Sequence, residues 1–143
     1  MKISTKGIYA LEVTVDLACY GSEEKRATIR DIAKRRGISE KYLERIVSLL
    51  KRGGIVNSAR GALGGYCLTR KACDITVLQV LEAAEGDLAP VECLVRKADC
   101  KRNCDTCPTR KYWKRMWEIL KGAVKDTTIE SIVKSVVDKE SAL

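Results

Sequence analysis

The sequence predicts a mainly α-helical fold carrying one small β-hairpin. Apolar residues recur at the three-and-four spacing of amphipathic helices in six segments, and two short β-prone segments flank a glycine-rich turn mid-chain. No apolar run approaches the ~18–20 residues that span a bilayer. The chain has 143 residues, enough for one ordinary domain or one domain with a short appended module. With 45% hydrophobic and 32% charged residues it can build a packed core. The start, Met1 to Lys6, has no apolar signal-peptide core, so a cytoplasmic location is expected.

Residues 7–20 read as a first helix, with Ile8, Leu11, Val15 and Ala18 on one stripe and Gly21 ending it. A polar loop, Ser22 to Arg26, follows. Thr28 then looks like an N-cap with Asp31 three residues on, opening a helix from Ile29 to Arg36 that stops at Gly37. Ile38 points inward and Ser39 caps the next helix, Glu40 to Arg52, whose Leu43, Ile46, Val47 and Leu50 form the buried stripe. Its opposite face carries Glu40, Lys41, Glu44, Arg45, Ser48 and Lys51. Two helices joined by a short turn around a glycine make a helix-turn-helix. Ile55 to Ala59 and Tyr66 to Thr69, on either side of Arg60 to Gly65, make a hairpin directly after it, which completes a winged helix. A short helix over 76–84, an irregular stretch over 86–108, a long helix from Thr109 to Lys125 and a last helix from Thr128 to Val137 follow. The long helix bears Trp113, Met116, Trp117, Leu120 and Val124 on one stripe, and residues 138–143 are expected to fray.

The net charge of +8 is unevenly placed. Residues 25–71 hold thirteen Lys/Arg against three acids, residues 1–24 are net −2, and residues 72–143 are neutral. A solvated face usually mixes signs, so this concentration points to a polyanion. A recognition helix needs an apolar underside and an exposed face whose first turns carry donors and acceptors. Ser39, Lys41, Tyr42, Glu44 and Arg45 meet that description, although the Tyr42 ring has an equally good role in packing. Thr28 and Arg30 open the helix before it and join the expected contact surface. Lys25, Arg26, Arg30, Lys34, Arg35 and Arg36 suit phosphates. Glu44 accepts from a cytosine amino group and so discriminates more than it binds. Arg60, beside Gly61 at the hairpin tip, suits a narrow minor groove. Enzyme chemistry is disfavoured: there is no histidine, the glycine-rich turn lacks the Gly-Lys-Ser/Thr ending of a phosphate loop, and no base–nucleophile pair stands out.

Four of the seven cysteines, Cys93, Cys100, Cys104 and Cys107, fall within fifteen residues. Their odd total in a chain without a secretion signal argues against a disulfide framework. Thiols spaced x6, x3 and x2 in an irregular loop suit an iron–sulfur cluster, with structural zinc and redox thiols as the other readings. Arg96, Lys97, Lys101, Arg102 and Arg110 nearby favour metallation. Cys19 and Cys67 are expected to pack as small apolar residues and Cys73 to sit exposed in a turn, all three without a special role.

The sequence resembles the IscR/NsrR/CymR family of winged-helix transcription regulators. The likeness rests on Met1 to Gly7 with Tyr9-Ala10, on Ile32-Ala33, on Gly37 to Glu44, on Arg60 to Tyr66, and on Cys107 to Arg110 followed by Trp113. The resemblance implies a homodimer on a roughly palindromic operator, most simply as a repressor, with the helix Thr109 to Lys125 as dimerisation element. It divides the chain into a winged helix-turn-helix over 1–85, a cysteine-rich loop over 86–108, and dimerisation and C-terminal helices over 109–143. Family DNA contacts map onto Ser39, Lys41, Tyr42, Glu44, Arg60 and Gly61. The cysteine loop is expected to hold a two-iron or four-iron cluster that senses redox, iron or nitric oxide status. Many relatives use three cysteines, matching Cys93, Cys100 and Cys107, plus a histidine at the position of Arg110 or a carboxylate at that of Ile8. Neither Arg110 nor Ile8 ligates metal, which leaves Cys104 as the compensating fourth ligand or a competitor of Cys100. A cluster-free regulator under a protein partner or a thiol switch, and a zinc-stabilised DNA-binding protein, are the alternatives.

Overall fold

A computed structural model describes residues 2–96 and 103–142. Helix α1 (Thr5–Tyr20) leads to α2 (Ile29–Arg36) and α3 (Glu40–Arg52), followed by an antiparallel hairpin of β1 (Val56–Ala59) and β2 (Gly65–Leu68). Helices α4 (Val77–Glu85), α5 (Arg110–Lys125) and α6 (Ile129–Ser141) complete the chain, with short 3-10 turns at Ala72–Asp74 and Glu92–Leu94. Among the described residues no helix is long and apolar enough to cross a membrane.

The helix boundaries follow from local chemistry. The Thr28 hydroxyl accepts from the Asp31 amide while the Asp31 carboxylate accepts from the Thr28 amide and hydroxyl, closing the capping box the sequence announces. Gly37, at φ 66°, takes the left-handed conformation that ends α2 at little steric cost. Ser39 caps α3 by accepting from the Tyr42 amide. Leu43, Ile46, Val47 and Leu50 are buried as their spacing requires, and Ile38 enters the core with them.

The core joins α1, α3, α4 and the first turn of α6, and one face of α1 forms its centre. Ala10, Val13, Thr14 and Leu17 are its most deeply buried residues; of the stripe expected from the sequence, Val15 is buried with them, Leu11 and Ala18 pack against the core, and Ile8 is left outside. Ile8 is 49% exposed, and it lines an open apolar groove of about 400 Å³ with Leu11 and Val15. Helix α1 is apolar nearly all round, so periodicity alone does not choose its inner face. Thr14 enters the core because its hydroxyl donates to the Ala10 carbonyl at 2.7 Å. Helix α6 runs to Ser141, beyond the expected end near Val137. Its start is held by the Ile129 amide donating to the Ile75 carbonyl, and Ile129 itself is fully buried.

The N-terminus of α1 is capped from far along the chain. Glu85, at the end of α4, accepts from the Ser4 amide at 2.7 Å, the Ser4 hydroxyl at 2.6 Å and the Gly7 amide at 3.1 Å. Burial pushes the Glu85 carboxyl up, but these hydrogen bonds and the Lys6 charge outweigh it and hold its pKa below the ordinary glutamate value. The folded chain therefore takes up this proton less readily than the unfolded chain. The stabilisation is complete above the ordinary glutamate range and is lost as the pH falls through the lowered value. Glu85→Gln should cost about 1 kcal/mol at neutral pH and should flatten the decline in stability below about pH 5. Urea titrations across pH check this; a wild-type acid slope in the variant would remove Glu85 from the account.

Candidate nucleic-acid interface and cysteine loop

The helix-turn-helix presents the expected face. Ser39, Lys41, Glu44 and Arg45 are exposed along the first turns of α3, while Leu43, Ile46 and Val47 anchor its underside. Arg30 and Thr28 are exposed at the start of α2, and the Thr28 hydroxyl is committed to the helix cap. Among the described residues, no carboxylate lies within ion-pair distance of Arg30, Lys41, Arg45 or Arg60, so these cations face solvent. Tyr42 is half-buried, its ring edge-on to Tyr9 with centroids 5.5 Å apart, so much of its role is to seat α3 on α1.

Two basic residues expected on phosphates lie elsewhere. Arg35 forks onto the Asp16 carboxylate (Nε–Oδ1 3.0 Å, Nη2–Oδ2 2.7 Å), and Arg36 Nε donates to the same carboxylate at 2.9 Å. Asp16 is fully buried, and the Arg35 guanidinium lies over the Tyr20 ring at 4.6 Å. A buried carboxylate must be paired, and these two arginines are its partners. The Arg26 guanidinium also turns inward, donating to the Cys67 sulfur at 3.1 Å.

The hairpin forms a wing. Ala59 pairs with Gly65 and Ser58 with Tyr66, and Ala27 adds a single bridge by exchanging hydrogen bonds with Tyr66. Gly65 is needed there: φ is 139°, and a Cβ would meet the Ala27 carbonyl oxygen at 2.7 Å. Arg60 and Gly61 are exposed at the tip with Leu63. Lys51, from the last turn of α3, donates to Ser58 Oγ at 2.6 Å and ties the recognition helix to the wing. Lys51 also shares with Thr28 and Arg60 a concave recess of about 460 Å³ between α2 and the wing. The sequence marks Lys51 only as one more polar residue on α3; its partner lies across the hairpin.

Of the loop thiols, Cys93, Cys104 and Cys107 are half-buried, and Cys100 lies outside the described residues, as do Lys97, Lys101 and Arg102. Arg110, the first residue of α5, donates from Nη1 to the Cys93 carbonyl at 2.6 Å, which closes the cysteine loop onto that helix. The Cys107 sulfur is 3.5 Å from the Thr109 hydroxyl. Among the described residues no three Cys, Asp or Glu side chains gather as a ready metal cage. The donor chemistry nevertheless fits an iron–sulfur cluster, since the closed loop offers thiols as its characteristic side chains. Elsewhere Cys67 is buried and Cys73 exposed, as expected. Cys19 is exposed rather than packed, because it follows the inward residues of α1 onto the outer face.

Helix α5 contributes no buried residue. On its apolar stripe Trp113 is 39% and Met116 37% exposed while Trp117, Leu120 and Val124 are half-buried, so the stripe is only partly covered; Tyr112 and Ile119 beside it are 62% and 63% exposed.

Residues 3–135 match the family model Rrf2, described as an iron-dependent transcriptional regulator. The chain is 43% identical over 113 residues to protein rrf2 of Nitratidesulfovibrio vulgaris, covering 79% of this chain and 74% of that one. It is 33% identical over 133 residues to the transcriptional regulator IscR of Photorhabdus laumondii, covering 93% and 79%. Its fold is similar to that of CymR, the global cysteine regulator of B. subtilis, with a TM-score of 0.74 and 32% identity over 94% of this chain and 98% of that one. The helix-turn-helix, the wing and these likenesses agree, and the chain belongs to the Rrf2 family of DNA-binding, winged-helix transcriptional regulators.

Proposed function

We propose that this regulator acts in the cytoplasm as a homodimeric repressor on a near-palindromic operator, and that its cysteine loop carries an iron–sulfur cluster on Cys93, Cys100, Cys104 and Cys107. The supporting observation is the Arg110–Cys93 hydrogen bond, which joins the loop to a helix whose apolar face is only partly covered. A bound cluster supplies a centre that responds to redox state, iron supply or nitric oxide. Arg110 carries a change in loop conformation to the start of α5, and α5 sets the spacing of two recognition helices across the dimer. Lys41 and Arg45 read base edges in the major groove, Arg30 and Lys51 hold phosphates, Ser39 and Tyr42 fix the entry of α3, and Arg60 with Gly61 reaches the minor groove.

The absorbance spectrum of anaerobically purified protein, with iron, sulfide and zinc measured on the same sample, tests the cluster. Brown protein with near-equal iron and sulfide supports it. Colourless protein with zinc makes the loop structural. Colourless, metal-free protein that also resists reconstitution favours control by a thiol switch or a protein partner, the reading to which the likeness to CymR lends weight.

On DNA, Arg60→Ala should weaken operator binding by about 1–3 kcal/mol and most at sites with A·T-rich flanks. Uniform loss on all sequences would reduce Arg60 to a phosphate contact. Glu44→Ala should relax base preference with little loss of affinity, and unchanged selectivity would take Glu44 out of the readout. Competition binding against mismatched operators measures both.

A further inference from the structure

We propose that Cys104 and Cys107 form a reversible intramolecular disulfide, a dithiol switch that the loop carries in its metal-free state. The pair shares both Cys104 and Cys107 with the proposed cluster, so the switch belongs to the metal-free loop and does not depend on the cluster.

Two thiols close on each other when the chain between them reverses, and a turn does this here. The Asn103 carbonyl accepts from the Thr106 amide at 3.2 Å and from the Thr106 hydroxyl at 3.3 Å. The Asn103 side chain accepts from the Asp105 amide at 3.0 Å. Cys104 sits inside that turn and Cys107 directly after it, so both line a single open recess at the start of α5. Arg110, Lys111 and Lys114 line the same recess against one acid, Asp105. Both cysteines are half-buried, so a reagent entering the recess reaches their sulfurs. The cations also favour an anionic reagent such as oxidised glutathione. The remaining described cysteines lack this arrangement. Cys93 does not line this recess, Cys67 is buried against Arg26, and Cys19 and Cys73 are exposed with no second exposed cysteine near them in sequence.

The chemistry is thiol–disulfide exchange with a low-molecular-weight disulfide, R–S–S–R. One protein thiol attacks, expelling R–SH and leaving a protein–S–S–R mixed disulfide. The second thiol displaces the other R–SH and the Cys104–Cys107 bond forms. Both thiol hydrogens end on the two R–SH molecules, and two electrons pass from the protein to the reagent. Closing the pair removes both Cys104 and Cys107 as metal ligands and fixes the chain that leads into α5.

The test is peptide mapping of full-length, metal-free protein equilibrated with glutathione redox buffers, then alkylated and digested with trypsin. Cleavage after Arg102 and Arg110 releases residues 103–110, which contain Cys104 and Cys107 and no other cysteine. In oxidising buffer most of this peptide should resist alkylation and weigh two hydrogens less than the reduced form, and reductant should reverse both. Cys104→Ser should instead trap Cys107 as a glutathione adduct. Full alkylation of the peptide while Cys19 or Cys73 is modified would overturn the proposal. So would its recovery cross-linked to a peptide containing Cys93 or Cys100. Iron and sulfide content of anaerobic protein reports the cluster separately: brown protein without the disulfide sinks only the switch, and the disulfide in protein that accepts no cluster sinks only the cluster.

Discussion

Asp16→Ala is expected to lower the free energy of unfolding by about 3 kcal/mol, the lower end of the range for breaking a buried ion pair from one side. The wild-type carboxylate is fully buried and accepts from Arg35 through both Nε and Nη2 and from Arg36 through Nε. Removing it leaves two cations side by side at the end of α2 with nothing between them. Their side chains are 30% and 29% exposed, so each swings partly into water, which keeps the loss from reaching the top of the range. Asp16→Asn keeps the shape and one acceptor and should lose less, about 1–2 kcal/mol. The damage should extend to DNA binding, because this carboxylate fixes the helix-turn-helix to α1. Urea unfolding of both variants gives the stability loss; a shift under about 1 kcal/mol for Asp16→Ala would show that the cluster of charges behaves as an exposed one.

What the sequence discloses here depends on how far apart the deciding residues lie. Thr28 with Asp31, Ser39 with Tyr42 and Gly37 act within a single turn, and the ends of α2 and α3 fall where these residues require. The α3 stripe is legible because its opposite face is charged. Helix α1 offers no such contrast: Ile8 and Leu11 are as apolar as Val13 and Leu17, and only the placement of α3, α4 and α6 decides which are buried most deeply. Long-range pairs leave no local mark. Glu85 caps a helix that starts eighty residues earlier, Ala27 bridges to Tyr66, and Asp16 claims two arginines whose local setting suggests phosphates. The same limit applies to the exposed surface of α3 and the wing. The exposure of Lys41, Glu44 and Arg45 follows from the α3 period, whereas the Tyr42–Tyr9 contact and the Lys51–Ser58 link need the fold.

In the homodimer proposed above, Met116→Glu is expected to leave a monomer and to weaken binding to a full operator by roughly 10²–10⁴-fold, the gain that linking two modest half-site contacts normally provides. Within one chain α5 buries no residue, yet it carries Trp113, Met116, Trp117, Leu120 and Val124 along one side. A helix with an apolar stripe draws most of its stability from packing that stripe. One protomer covers it only in part, chiefly through α4, and leaves Met116 37% and Trp113 39% exposed at successive positions of the stripe. A second α5 of the same kind is self-complementary under two-fold symmetry. A carboxylate placed there in both protomers has no cation on the stripe to pair with, so its burial opposes association rather than folding. Because Met116 is not part of the winged-helix core, thermal unfolding of that core and binding to an isolated half-site should stay close to wild type. Sedimentation of the variant, with affinities for half and full operators at fixed salt, separates the outcomes. A monomer that still binds the full operator as tightly as wild type would show that recognition does not use two subunits. A dimer unaffected by the charge would place the subunit contact somewhere other than α5.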